Sequence, residues 1–306
     1  MIRLITDNDL DGISCYVVLK TLKPDEEIKV TFCKDYSHVN NLVLRQLESA
    51  NFDHLYITDL SVTEYVAEKI ETFNKEHHNV LLVDHHKTAE WLNKYDWACV
   101  LVNHISKEDN PDKYCGAELF KEYLYLSSDI RNERLNEYIE LVRRYDTWEW
   151  KTKYDDLIPS DLNSLFKIKG KSDFISGVLN YINNDGFLFT DNDNELLTLK
   201  QNKFNDYVSK KNNDIIGLTI NGYKVGVLFA EQYISELGNK LSELHPELDL
   251  IAMIGQKAVS YRTVKEDIDV SKFAEMFGGG GHRSAAGSPI KKSQIKKMMI
   301  ELFKNN

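Results

Sequence analysis

Along the first hundred residues, short β-branched runs alternate with longer stretches of mixed polarity. Strands are predicted at 2–6 (IRLIT), 28–32 (IKVTF), 54–58 (HLYIT), 80–84 (VLLVD) and 99–103 (CVLVN). Between them, 12–22, 38–49 and 63–77 repeat apolar residues at i, i+3 or i+4, and i+7, the spacing of a helix with one apolar face. Repeated strand–helix–strand units imply an α/β fold with a mostly parallel sheet and helices on both faces. In such a sheet the functional crevice lies outside the carboxyl ends of the strands.

The pattern continues with two helices over 114–146 and a polar, Asn-rich stretch, partly helical, over 172–213. The first domain is placed at 1–185, a linker at 186–213 and a second domain at 214–306. The second opens with a hairpin over 218–229, because Asn221-Gly222 suits the positive-φ positions of a two-residue turn. Strands follow at 250–255 and 258–263, then KFAEMF, the run Gly278-Gly279-Gly280-Gly281-His282, and a closing helix from Ser293. The 306 residues agree with two units of about 150 residues each.

Composition narrows the function. The chain is 42% hydrophobic and 28% charged, values of a folded globular protein. Its 38 Lys and Arg against 48 Asp and Glu give a net charge of −10, so grip on a long duplex by phosphate neutralisation is not expected. Cys15, Cys33, Cys99 and Cys115 are widely spaced, which suggests reduced thiols and a cytoplasmic setting. Neither a signal peptide nor an apolar run of about 20 residues is present, so no membrane partner is expected.

Candidate chemistry collects at the predicted strand ends. Asp7-Asn8-Asp9-Leu10-Asp11-Gly12 follows the first strand, Asp59 the third, and Asp84-His85-His86 the fourth. Asp7, Asp9 and Asp11 can converge on a hard divalent cation, or the turn can simply cap a helix. An EF-hand is excluded, because a strand precedes the motif and Val18 stands where its bidentate Glu belongs. Three acidic strand ends on one sheet edge repel one another unless a cation is present, so the motifs together predict a metal site. His-His beside Asp adds imidazole ligands and a carboxylate to fix the tautomer.

Other segments carry less. Asp146 ends a predicted helix, and Trp148 and Trp150 nearby read as packing. His104, at a further strand end, is a candidate substrate contact. The tetraglycine run suggests free amides for an anion, joined by Arg262, His282 and Arg283, with a helix able to start after it. Residues 191–195 (DNDNE) read as a solvated loop, and His77-His78 as surface.

DNDLDG, ITD, DHH, a later Asp and a distant GGGGH together resemble the DHH/DHHA1 phosphoesterase superfamily, over nearly the whole chain. The DNDLDG opening, ITDLS, RRYDTWEW and VSYRT are most similar to its nanoRNase or oligoribonuclease branch. The resemblance implies a Rossmann-like DHH domain holding two divalent cations, Mn2+, and a smaller α/β DHHA1 domain that binds substrate. It implies Asp7, Asp9, Asp11, Asp59, His85 and Asp146 as metal ligands, Asp59 bridging, with Asp84 behind them. His86 would contact the scissile phosphate and protonate the leaving oxygen. Arg262, Gly279, Gly280, Gly281 and His282 would hold a terminal phosphate or the nucleotide backbone. Many relatives open the first motif with a His four residues before the next Asp, whereas Asp7 stands two before Asp9. The implied activity is metal-dependent hydrolysis of short single-stranded RNA to mononucleotides. A phosphoesterase acting on a 3′,5′-bisphosphate or a cyclic or linear dinucleotide is the alternative, a RecJ-like single-strand exonuclease and a non-catalytic nucleotide sensor are further readings, and a homodimer is compatible with each.

Overall fold

The computed structural model describes residues 1–33, 36–77, 79–104, 111–127, 130–184 and 186–304. His78, the expected domain boundary at Asp185, and Asn305-Asn306 of the expected closing helix lie outside them. The chain divides into two compact units, Met1–Leu197 and Thr198–Asn306.

The first unit runs β1 (Ile2–Asp7), α1 (Leu10–Leu22), β2 (Ile28–Cys33), α2 (Tyr36–Ser49), β3 (His54–Thr58), α3 (Glu64–His77), β4 (Val80–Asp84) and β5 (Ala98–Val100). It continues with α4 (Gly116–Leu126), α5 (Glu133–Asp146), α6 (Glu149–Thr152), α7 (Ile158–Lys169), α8 (Lys171–Asn183) and the start of α9 (Asp191–Asn213). The five strands form one parallel sheet in the order β2-β1-β3-β4-β5. In this order the chain reverses direction across the sheet between β1 and β3, the switch point where such sheets open a crevice at their carboxyl edge.

Two apolar layers flank the sheet. Val39, Val43, Val66, Ala67 and Ile70 of α2 and α3 cover one face, as one-sided helices should. On the other face α1 departs from the expected single apolar stripe. Nearly all of its residues are buried, because α4, α5 and α8 form a further layer over it. The strand expected at 99–103 is shorter: β5 ends at Val100, and Asn103 only bridges to Lys113.

The segment expected as a linker holds α9, which crosses the division between the units at 197/198. Residues 191–195 form its first turn, not a solvated loop. Asp193 is buried and accepts hydrogen bonds from the Thr190 amide and hydroxyl. A local cap of this kind satisfies helix-end donors at a position whose polarity alone suggests solvent.

The second unit comprises β6 (Ile216–Ile220), β7 (Tyr223–Phe229), α10 (Ile234–Leu244), β8 (Leu250–Ile254), β9 (Ala258–Arg262), α11 (Val270–Glu275), β10 (Gly280–His282), β11 (Ala285–Pro289) and α12 (Lys292–Leu302). Its sheet has the order β10-β11-β9-β8-β7-β6 and is antiparallel except for β7–β8. Asn221 and Gly222 stand at φ 51° and 86°, as the turn between β6 and β7 requires. Among the described residues, no helix is long and apolar enough to cross a membrane.

Candidate metal centre

Parallel pairing puts the carboxyl ends of β1, β3 and β4 side by side, and their acidic residues meet there. Ligand atoms of Asp7, Asp9 and Asp59 lie within 4.8 Å of one another, as do those of Asp11, His85 and Asp146. Asp59, Asp84, His85 and His86 form a third such group. Asp59 and His85 each belong to two groups, so the clusters are contiguous. His85 Nε2 stands 3.3 Å from Asp59 Oδ1, 3.5 Å from Asp146 Oδ2 and 3.8 Å from Asp11 Oδ2.

Each side chain is held by local structure. Asp9 is both the cap of α1, accepting the Gly12 amide at 2.9 Å, and a member of the cluster, so the two readings of its motif coexist. Asp11 lies in the first turn of α1. It accepts the Gly116 and Ala117 amides at 2.6 and 2.9 Å, at the positive end of α4. A Cβ on Gly116 would stand 2.8 Å from Asp59 Cβ, so only glycine lets α4 approach this closely. Asp59 takes a left-handed backbone, φ 54°, as the chain leaves β3. Asp146 closes α5.

The two histidines are set differently. His85 is hydrogen-bonded to the Tyr114 backbone, which orients its imidazole, and burial lowers its pKa toward the neutral form a ligand needs. His86 Nδ1 sits 2.7 Å from Asp84 Oδ1, and this bond raises its pKa toward the protonated form. The same Asp84 oxygen accepts the His85 amide at 2.8 Å.

The electrostatics are unfavourable without a cation. Burial pushes the Asp59 carboxyl well above its ordinary pKa, and Asp11, Asp9, Asp146 and Asp84 push it further. Burial and the charges of Asp11 and Asp9 raise Asp146 likewise. The Asp9 residue keeps open surface, yet desolvation of its carboxyl and the Asp11 charge bring it up to about 6. Asp59 Oδ2, Asp84 Oδ2 and His85 Nε2 are buried with no hydrogen-bond partner among the described residues. Oxygen and imidazole donors left bare in this way fit divalent cations.

Several contributors escaped the sequence reading: the Gly116 and Ala117 amides, the Tyr114 carbonyl and Arg143. Arg143 is fully buried, bonded to Glu149 at 2.6 Å and Glu140 at 2.7 and 2.8 Å, and donates to the Lys113 carbonyl. It thereby ties the 113–117 segment to the helix that carries Asp146. The glycine of YCGAELF was the available signal. His104, the candidate substrate contact, pairs with the buried Glu118 at 3.0 Å and stacks on Tyr114 at 4.0 Å.

In the second unit the pairing of β9, β11 and β10 puts Arg262, Ala285 and His282 in one row across one face. Arg262 is held by the Tyr261 carbonyl and Ser235, while His282 is exposed. The tetraglycine run differs from expectation. The Gly278 and Gly279 amides are consumed by the Glu275 and Ala274 carbonyls at the end of α11, so they are not free for an anion. A hairpin, not a helix, follows, and Gly280 and Gly281 pair with β11. Gly281 has φ 147°, and a Cβ there would stand 2.6 Å from Ala286 Cα, so Gly281 serves close strand packing.

No family model matches the chain. The oligoribonuclease NrnB of Bacillus subtilis is 35% identical over 316 residues, covering 99% of this chain and 76% of that protein. The pGpG-specific phosphodiesterase PggH of Vibrio cholerae has a TM-score of 0.56 at 14% identity, with 99% and 97% of the two chains covered. Exonuclease RecJ, in a crystal structure with manganese, has a TM-score of 0.52 at 15% identity, over 98% and 88%. The last two establish likeness of fold; the first, with the acidic and histidine motifs converging at one sheet edge, shows that the chain belongs to the DHH family of phosphoesterases that includes oligoribonuclease NrnB.

Proposed function

We propose that this protein is a phosphodiesterase that hydrolyses short oligoribonucleotides to mononucleotides with two divalent cations, Mn2+. The carrying observation is the set of contiguous ligand groups sharing Asp59 and His85, with their bare buried donor atoms. Asp7, Asp9, Asp11, Asp59, His85 and Asp146 would hold the cations, with Asp59 the carboxylate that stands in two of the three ligand groups. When bound, such cations supply positive charge at the phosphate and lower the pKa of water.

The protein's own residues do the rest. The Gly116 and Ala117 amides of α4 hold the Asp11 carboxyl in place and directed at the cluster. Asp84 fixes Nδ1 of His86 and favours its protonated form, so Nε2 is free to donate to the leaving oxygen. In the second unit Arg262 and His282 hold a terminal phosphate, with His104 as a further contact in the first. The first unit is thus catalytic and the second binds substrate. The net charge of −10 suits a short substrate, whose few phosphates need few lysines. The kinship with oligoribonuclease NrnB supports this reading.

The test is a time course on a 5′-labelled pentaribonucleotide with Mn2+, with EDTA and Asp59→Ala as controls. A metal-dependent ladder descending to mononucleotide is expected. An intact pentamer alongside rapid cleavage of pApA would move the substrate to dinucleotides, and inertness toward both would refute the reading.

A further inference from the structure

The segment after Asp146 contains a large aromatic side chain in a costly conformation. Trp148 has φ 64° and ψ 8°, the left-handed region that bulky residues avoid. The residue is 48% exposed. It makes one edge-to-face contact, with Trp150 at 5.3 Å and 70°, which leaves ring surface open. That one contact agrees with the expected packing role but does not by itself account for a half-exposed tryptophan held in a left-handed backbone.

The backbone on either side is pinned. The Thr147 and Trp148 amides donate to the Arg143 and Tyr145 carbonyls at the end of α5. Next in the chain, Glu149 is buried against Arg143 at 2.6 Å and accepts the Lys113 amide at 3.0 Å. Strained residues persist where the surroundings over-determine them, and they concentrate at ligand sites. Two residues of chain span at most about 7 Å, so the Trp148 backbone lies within that distance of the backbone of Asp146, a member of the cluster.

We propose that Trp148 is a nucleobase-stacking residue, holding the base beside the scissile phosphodiester. This rests on the function proposed above and deepens it: the substrate is recognised through an intact base next to the bond that breaks, as well as through its phosphates. Aromatic side chains stack on any base, so this contact favours nucleotides over bare phosphodiesters without choosing a sequence.

The experiment compares the full-length protein with Mn2+ on pApA and on the same sugar–phosphate dinucleotide lacking both bases. Wild-type turnover of pApA and of the pentaribonucleotide is measured first; inertness toward both overturns the proposed function and this inference with it, and inertness toward pApA alone overturns this inference. Given turnover, the wild type prefers pApA to the abasic dinucleotide. Trp148→Ala cuts that preference about tenfold, mainly through KM, within the range that base–aromatic stacking supplies. Trp148→Phe keeps most of the preference, since it retains an aromatic face. A Trp148→Ala protein that loses kcat equally on both substrates, or keeps the wild-type preference, overturns the inference alone.

Discussion

Replacing Asp59 by Asn should make the metal-free protein more stable while removing its activity. Asp59 is buried among Asp11, Asp9, Asp146 and Asp84, and one of its oxygens has no hydrogen-bond partner among the described residues. Asparagine preserves the shape and tolerates the left-handed backbone at φ 54°. Two unit charges 4.8 Å apart, the limiting spacing in the Asp7–Asp9–Asp59 group, repel by roughly 3–4 kcal/mol at an effective dielectric of about 20. Partial protonation caps the cost, so a gain of about 1–3 kcal/mol is expected, or roughly 3–10 °C in the melting of the first unit.

The gain depends on pH in a definite direction. The folded pKa of Asp59 lies above its ordinary value of 3.8, so the native state holds the extra proton. That contribution is complete below about 3.8 and is lost as pH rises through the folded value. The advantage of Asp59→Asn should therefore be small near pH 4 and largest at neutral pH. Thermal melts in EDTA between pH 4.5 and 8 measure it, and repeats with Mn2+ test ligation. A cation at about 100 times its Kd adds about 2.7 kcal/mol to the wild type, and the variant should lose most of that. A variant no more stable than wild type at pH 7.5 in EDTA would refute the electrostatic argument, and an undiminished response to Mn2+ would refute Asp59 as a ligand.

His86 should act as an acid, so kcat falls as pH rises through its elevated pKa, and Asp84→Asn should move that descending limb to lower pH. His86→Gln should cost about 10²–10⁴ in kcat, and a loss below fivefold would remove it from proton transfer. Gly281→Ala should destabilise the second unit by about 2 kcal/mol or more, since φ 147° and a Cβ 2.6 Å from Ala286 Cα admit no side chain. The Mn2+ response of the first unit should survive that change in the same melts. Arg143→Met strands Glu149 without its partner and should cost about 3–5 kcal/mol, read by denaturant unfolding; a neutral result would show that the buried pair is dispensable.

Which residues form the strands, and that acidic groups follow them, could be read locally. A β-branched run followed by a turn identifies its own end, and parallel pairing then brings Asp7, Asp59 and Asp84 to one edge whatever the details. The hairpin at Asn221-Gly222 was equally local, because backbone strain at two adjacent positions selects those residues. At α1, where the pattern misled, neighbours distant in the chain were responsible. Periodicity reports which faces of α1 are apolar, and cannot report that α4, α5 and α8 cover the remainder.

The site follows the same division. The candidate ligand types were visible in the chain as motifs, and the chemistry open to them follows from carboxylate and imidazole wherever they meet. Their arrangement came only from tertiary structure. The amides that hold Asp11 lie more than a hundred residues away, and the Tyr114 backbone that orients His85 belongs to a different segment. Tertiary packing also used the Gly278 and Gly279 amides to end α11, and held Trp148 in strain through the Arg143–Glu149 pair. A side chain announces its chemistry wherever it stands, but a backbone amide or carbonyl is identical at every residue. Which of them serves the site is decided only when the chain folds back on itself.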